Sequence, residues 1–150
     1  MITYKTGNLL ADEAEVLVNT VNTVGVMGKG IALAFKNAFI FNYNYYKMEC
    51  NLGALCIGVI LPLNDTSEIY GTKIIVNFPT KTHWRLPSEY EYISLGLAQL
   101  RKWLLETGAK SIAIPPLGCG NGGLDWAKVK PMILDAIGDL DIQIAIYEPS

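Results

Sequence analysis

Between Ile114 and Trp126 the chain reads Ile-Pro-Pro-Leu-Gly-Cys-Gly-Asn-Gly-Gly-Leu-Asp-Trp, with four glycines in six residues. Glycine has no Cβ, so such a run lets backbone approach a ligand closely. Ser111 to Ile114, just ahead, is a short apolar segment that reads as a buried strand stopped by Pro115. Asp125, just behind, is a good N-cap for a weakly helical pattern. Strand, glycine turn and helix start together make an anion site, because free N–H groups and the positive end of the helix dipole face the turn. A turn needing glycine only for positive φ would be satisfied by one or two of them. Gly118, Gly120 and Gly123 also spell G-x-G-x-x-G. That fingerprint belongs in the first βαβ unit, about 20 residues before an acidic partner. Too little chain follows for the second half of a dinucleotide domain, so we expect a phosphate cradle of another kind.

Composition narrows the class further. The 150 residues are 51% hydrophobic, with a mean hydropathy of +0.26, which excludes disorder and fits one compact domain over residues 1–150. No apolar run reaches the ~18 residues of a membrane span. Met1 to Lys5 lacks a signal-peptide pattern. Cys50, Cys56 and Cys119 are odd in number and lack metal spacing. They are expected to be reduced cytoplasmic thiols, with no metal site. A net charge of -2 argues against broad nucleic-acid coating but leaves room for a local basic rim.

Taken in order, Ile2 to Lys5 alternates as an edge strand, and Gly7-Asn8 turns into Leu9-Leu10. Val16 to Val18 is a buried strand ending in Asn19-Thr20-Val21-Asn22. Polar amides at such a strand end sit where open α/β sheets bind ligands. A second glycine loop follows, Gly25-Val26-Met27-Gly28-Lys29-Gly30, opening a helix from Ile31 to Lys36. It is not a P-loop, since Gly30 stands where Ser or Thr should hold magnesium. Residues Asn37 to Asn51 form a second helical segment, whose Tyr43, Tyr45 and Tyr46 read as packing and surface residues. Strands are expected at Cys56 to Leu61 and Lys73 to Phe78, around a polar excursion from Asn64 to Gly71. Ser88 and Glu91 have capping-box spacing ahead of a helix that ends at Gly108. Pro131 suits the first turn of a last helix running to Gly138, and Ile142 to Tyr147 is the final strand. The alternation predicts a three-layer α/β/α sandwich on a mixed, mostly parallel sheet, with both glycine loops and Asn77 to Arg85 on one rim.

Lys81 follows a strand and Pro79, within a run of hydrogen-bonding side chains at that rim. It can act as a nucleophile beside a second cation such as Arg85, or as a fixed charge. His83, the only histidine, lacks a Ser or Cys partner and reads as a hydrogen-bonding residue. Cys119 sits among glycines for its small size, with no base beside it.

Two glycine loops without a P-loop lysine-serine, preceded by Val18-Asn19-Thr20-Val21-Asn22, resemble the macrodomain family, which binds ADP-ribose. The likeness runs along the whole chain. Asn19 to Ala32, Asn77 to Arg85 and Pro115 to Trp126 bring it nearest the DarG type, antitoxins to DarT-like DNA ADP-ribosyltransferases. The resemblance implies that Gly25, Val26, Met27, Gly28 and Gly30 embrace the diphosphate and distal ribose together with Leu117, Gly118, Cys119, Gly120, Asn121, Gly122 and Gly123. It adds Asn19 to the ligand-binding set, puts Asn8 where many members carry an aspartate toward adenine, and makes Asn22 and Lys81 the catalytic pair. His83, Trp84 and Arg85 would then form a rim for DNA.

The implied activity is a glycohydrolase that frees ADP-ribose from thymine of single-stranded DNA. It would work as a cytoplasmic monomer without a cofactor, ADP-ribose being its ligand and product. Lys81 would trap the opened ribose aldehyde as a Schiff base or stabilise charge on the departing groups. Relatives that cleave glutamate esters place an aspartate where Gly122 stands here, and Asp125 reads as a helix cap. The alternatives are a reader without catalysis, an ADP-ribose-1″-phosphatase, an O-acetyl-ADP-ribose deacetylase or a protein ADP-ribosyl hydrolase.

Overall fold

A computed structural model describes all residues from Met1 to Ser150. Six segments pair into one sheet: β1 (Ile2–Lys5), β2 (Val16–Asn22), β3 (Leu61–Ser67), β4 (Gly71–Lys81), β5 (Ser111–Ile114) and β6 (Gln143–Tyr147). Their spatial order is β1-β6-β5-β2-β4-β3. Every neighbouring pair is parallel except β3 with β4. Four helices, α1 (Gly30–Ala38), α2 (Ile40–Asn51), α3 (Tyr90–Thr107) and α4 (Trp126–Ile137), supply the covering layers. The mixed, mostly parallel α/β/α sandwich is the architecture the alternation predicts.

Strand side chains point alternately to opposite faces, and the core follows that rule. Val16 and Val18 join Ile93 and Leu97 of α3 and Val129 and Ile133 of α4 in one cluster. Leu17, between them, packs on the other face with Phe35 and Phe39. A smaller cluster, Val21, Met27, Tyr46 and Leu55, sits where β2, the first glycine loop and α2 meet. No helix is long and apolar enough to cross a membrane.

Four local expectations are corrected. The third strand is not Cys56–Leu61 but Leu61–Ser67. Gly53 and Gly58 take positive φ and turn the chain before it. The polar run Asn64 to Ser67 becomes an edge strand, antiparallel to β4. An edge pairs on one side only and tolerates polar residues that a central strand would not. Accordingly β4 extends to Gly71–Lys81 rather than Lys73–Phe78. The Ser88–Glu91 capping box does not form either: α3 starts at Tyr90 behind Glu89, without a side-chain cap. Ser88 instead packs on the second glycine loop, its N–H donating to Gly122 O at 3.0 Å. Finally, α4 starts at Trp126, where Asp125 accepts from Ala127 N, and Pro131 lies inside the helix. The proline ring removes one internal hydrogen bond there, and the packed apolar face of Val129, Ile133 and Ile137 carries the helix past it.

Candidate active site

Parallel strands deliver their C-terminal ends to one side of a sheet, and the loops leaving them form one rim. Here β2 and β4 end level with each other. Val21 pairs with Pro79 and Asn22 with Lys81, the register slipping by one residue between them. That bulge sets Asn22 and Lys81 side by side at the rim, as bulges commonly do beside active sites.

The loop after β2 is held by the Asn22 amide. Its Oδ1 accepts from Val24 N at 3.1 Å and Val26 N at 3.3 Å, and its Nδ2 donates to Val26 O at 2.8 Å. From below, the fully buried Tyr46 hydroxyl lies 2.8 Å from both Asn22 O and Oδ1. Burial pushes this phenol above its ordinary value of 10, so it stays a donor. The loop then enters α1 at Gly30, where Lys29 offers no side-chain cap. The first N–H groups of α1 therefore face the rim without a capping side chain, at the positive end of the helix.

The loop after β5 is closed by its own backbone. Cys119 N donates to Pro116 O, Leu124 N to Gly118 O and Gly123 N to Gly120 O, at 3.0 to 3.1 Å. A Cβ on Gly118 would stand 2.6 Å from Leu124 Cδ1, and one on Gly122 would overlap Ser88 Oγ. Glycine is required at both by close approach. Cys119 has its thiol pushed up by burial, with Asp125 adding to the effect, which suits a packing residue rather than a thiolate nucleophile.

The two loops meet. A Cβ built on Gly30 would lie 3.7 Å from Asn121 Nδ2. Lys81 Nζ donates to Asn121 O at 3.1 Å and to Trp84 O at 3.5 Å. The amine thus ties the end of β4 to the second glycine loop, while Lys81 pairs with Asn22 in the sheet register. Next to it His83, Trp84 and Arg85 pack on one another. Arg85 lies 4.6 Å over the Trp84 ring, and the His83 ring centroid is 5.1 Å from that of Trp84. Trp84 remains 44% exposed.

On the far side of Gly30 a cavity of about 360 Å³ opens between Asn8, Leu9, Ile31, Pro115 and Tyr147. Asn8 reaches this wall, but its amide is engaged: Oδ1 accepts from Leu10 N and Nδ2 donates to Tyr70 Oη, both at 3.1 Å. Behind Tyr147 lies Asp12. One of its oxygens accepts from Tyr147 at 2.7 Å and Lys5 at 2.9 Å, the other from Ala14 N at 2.9 Å. Burial opposes this charge, yet the three donors outweigh it and hold the carboxyl below 3.8.

Asn19 does not reach the rim. It is fully buried, its Nδ2 donating to Asn77 Oδ1 at 3.3 Å and to Met27 Sδ at 3.8 Å, with Oδ1 unpaired. Asn77 and Asn42 bond reciprocally beneath it. Met27 is likewise buried and anchors its loop from inside. Sequence reasoning missed Tyr46, Asn42, Ser88 and Asp12. Only the asparagines in otherwise apolar surroundings carried a signal, since a buried amide demands partners.

The chain matches the Macro domain model over residues 18–133, and it belongs to the macrodomain family. It is 48% identical over 151 residues to the DNA ADP-ribosyl glycohydrolase of Mycobacterium tuberculosis, covering 100% of this chain and 43% of that protein. The macrodomain of M. tuberculosis DarG superposes with a TM-score of 0.95 at 47% identity, covering 100% of this chain and 99% of the other. Thermosipho africanus DarTG in complex with ADP-ribose superposes with a TM-score of 0.90 at 33% identity, over 99% of this chain and 41% of that one. The chain thus spans less than half the length of the curated glycohydrolase it matches.

Proposed function

We propose that this macrodomain binds ADP-ribose across its two glycine loops and hydrolyses the bond joining the distal ribose to a thymine of single-stranded DNA. The observation that carries the reading is Lys81, held beside Asn22 where the two loops meet. A diphosphate suits the uncapped start of α1 and the glycine turn opposite, and the cavity between Asn8 and Tyr147 suits the base end. The distal ribose then falls at Lys81. Water adds to its anomeric carbon while the thymine nitrogen leaves with the bonding pair and is reprotonated. Lys81, donating to two carbonyls, is placed to stabilise that developing negative charge. The curated name of the M. tuberculosis relative supports the glycohydrolase reading. The Thermosipho relative is a transferase–glycohydrolase fusion, which supports a DarT-like enzyme as the source of the modified DNA.

Lys81→Ala should lose most release of ADP-ribose from a modified oligonucleotide while keeping ADP-ribose affinity within about tenfold. Unchanged turnover would make Lys81 a rim charge, and no turnover by either protein would leave a reader. Borohydride with substrate should give no adduct on Lys81; an adduct would replace the electrostatic role with a Schiff base. Activity should survive chelators. Faster release from a glutamate-modified protein than from the oligonucleotide would overturn the DNA assignment.

A further inference from the structure

The cavity beyond Gly30 is apolar along most of its wall, with Leu9, Ile31, Ala34, Pro115 and Pro149 among its lining residues. Such a slot suits a flat ring, and the few polar groups in it decide which ring. Besides Ser150, three polar side chains line it: Tyr147, Glu148 and Asn8. Two of these are committed elsewhere. The Tyr147 hydroxyl donates to Asp12 at 2.7 Å, and the residue is buried. Glu148 turns one oxygen to Trp126 Nε1 at 3.1 Å and Lys130 Nζ at 3.2 Å, so its charge is paired on α4.

Asn8 differs. It is exposed at the wall, and its amide is fixed in one orientation. The residue precedes a short helical turn, Leu9–Ala11, and Leu10 N donates to its side chain at 3.1 Å. Only the oxygen can accept that bond. Oδ1 therefore points to Leu10, and Nδ2 to the Tyr70 hydroxyl 3.1 Å away. A primary amide has two acceptor lone pairs on oxygen and two hydrogens on nitrogen. One of each is used here, and one of each is left. The wall thus offers a donor and an acceptor from a single neutral group. A carboxylate in the same place would offer acceptors alone.

Resting on the ADP-ribose reading above, we propose that Asn8 sets base specificity and admits 6-oxopurines as well as adenine. The base enters past Gly30 with its bond to ribose behind it, so the leading edge carries the 6-substituent. Oδ1 accepts from the amino group of adenine, and Nδ2 donates to the carbonyl oxygen of a 6-oxopurine. Size does not separate adenine from hypoxanthine, which exchange one amino group for one oxygen. The protein then frees DNA of the modification whichever of these two bases it carries.

Calorimetry with ADP-ribose and with its hypoxanthine analogue tests this, read as the ratio of the two Kd values. For the wild-type protein the analogue should bind within about fivefold of ADP-ribose. Asn8→Asp should widen that ratio by about tenfold, because the donor is gone and two acceptors oppose each other. The variant keeps its local fold: aspartate caps a helical turn as asparagine does, and the Tyr70 hydroxyl can donate to it. Glu148→Gln should leave the ratio where it is. A wild-type ratio above about fivefold overturns the proposal, as does an Asn8→Asp ratio that does not widen. A ratio that moves with Glu148→Gln assigns the base edge to that acid and overturns it too. If the wild type binds neither ligand, the ADP-ribose reading itself fails.

Discussion

The two glycine loops share one rim but are held by opposite means. The first is caged by polar side chains: Asn22 closes its hydrogen bonds, and Tyr46 holds Asn22 from a fully buried position. No side chain closes the second loop from within; Lys81 Nζ and Ser88 N only reach its outer carbonyls, at Asn121 O and Gly122 O. This loop keeps its shape because its N–H groups close onto Pro116, Gly118 and Gly120 and because missing Cβ atoms let Leu124 and Ser88 pack against it. One loop should therefore fail when a side chain is removed, and the other when one is added.

The largest expected effect breaks the second loop. Gly118→Ala adds a Cβ 2.6 Å from Leu124 Cδ1 and 3.1 Å from Ile93 Cδ1, at a φ of +73°. Overpacking costs about 1–3 kcal/mol and a left-handed alanine about 1–2 more. Thermal unfolding should move down by on the order of 10 °C. Gly120→Ala is the control: its φ is +72° but nothing lies within 4 Å of the added Cβ. It should cost only the backbone share. Equal losses at the two positions would show that crowding does not hold this loop.

A smaller effect is expected in the first loop from removing one atom. Tyr46→Phe takes away the hydroxyl beneath Asn22 while the apolar packing of the ring stays. Asn22 Oδ1 keeps Val24 N and Val26 N, so the loss should be about 1 kcal/mol of stability. ADP-ribose affinity should fall severalfold, because the loop N–H groups are no longer pre-aimed. Calorimetry on the variant at neutral pH reads both. An unchanged affinity would mean that Asn22 shapes the loop unaided.

The same contrast explains what could be read in advance. The loops and their strands are legible because glycine runs and apolar triplets such as Val16 to Val18 and Ser111 to Ile114 are local signals. The edge strand β3 was hidden because its polar residues follow from pairing on one side only. The braces were hidden for another reason. Tyr46 lies 24 residues from Asn22, and no periodicity announces that a tyrosine on α2 will reach the end of β2. Ser88 carried a strong local signal for a helix cap, and packing against Gly122 overrode it. Lys81 was legible as a rim charge. Its hold on Asn121 O depends on a bulge that the sequence does not mark.

The smallest expected effect asks whether either loop answers to pH. Tyr46 is pushed up by burial and stays neutral, and Cys119 is pushed up as well, so neither changes charge between mild acid and neutrality. A buried acid-sensitive group lies outside both loops, at Asp12 behind the Tyr147 wall. Its folded value is depressed below 3.8. The stability it contributes is therefore present above the unfolded value and lost as pH falls through the folded one. Its Lys5 partner is 42% exposed, so Asp12→Asn should cost only about 1 kcal/mol near neutrality, or roughly 2–4 °C. That gap between wild type and variant should hold from pH 7 to pH 5 and narrow progressively below about pH 4. Over the upper range ADP-ribose affinity should stay flat for both proteins, since Tyr46, which braces the first loop, stays neutral. A gap that does not narrow at all as the pH falls below about 4 would mean that Asp12 acts through shape rather than charge. An affinity that falls between pH 7 and pH 5 would place a titrating group within the loops and undo the contrast between them.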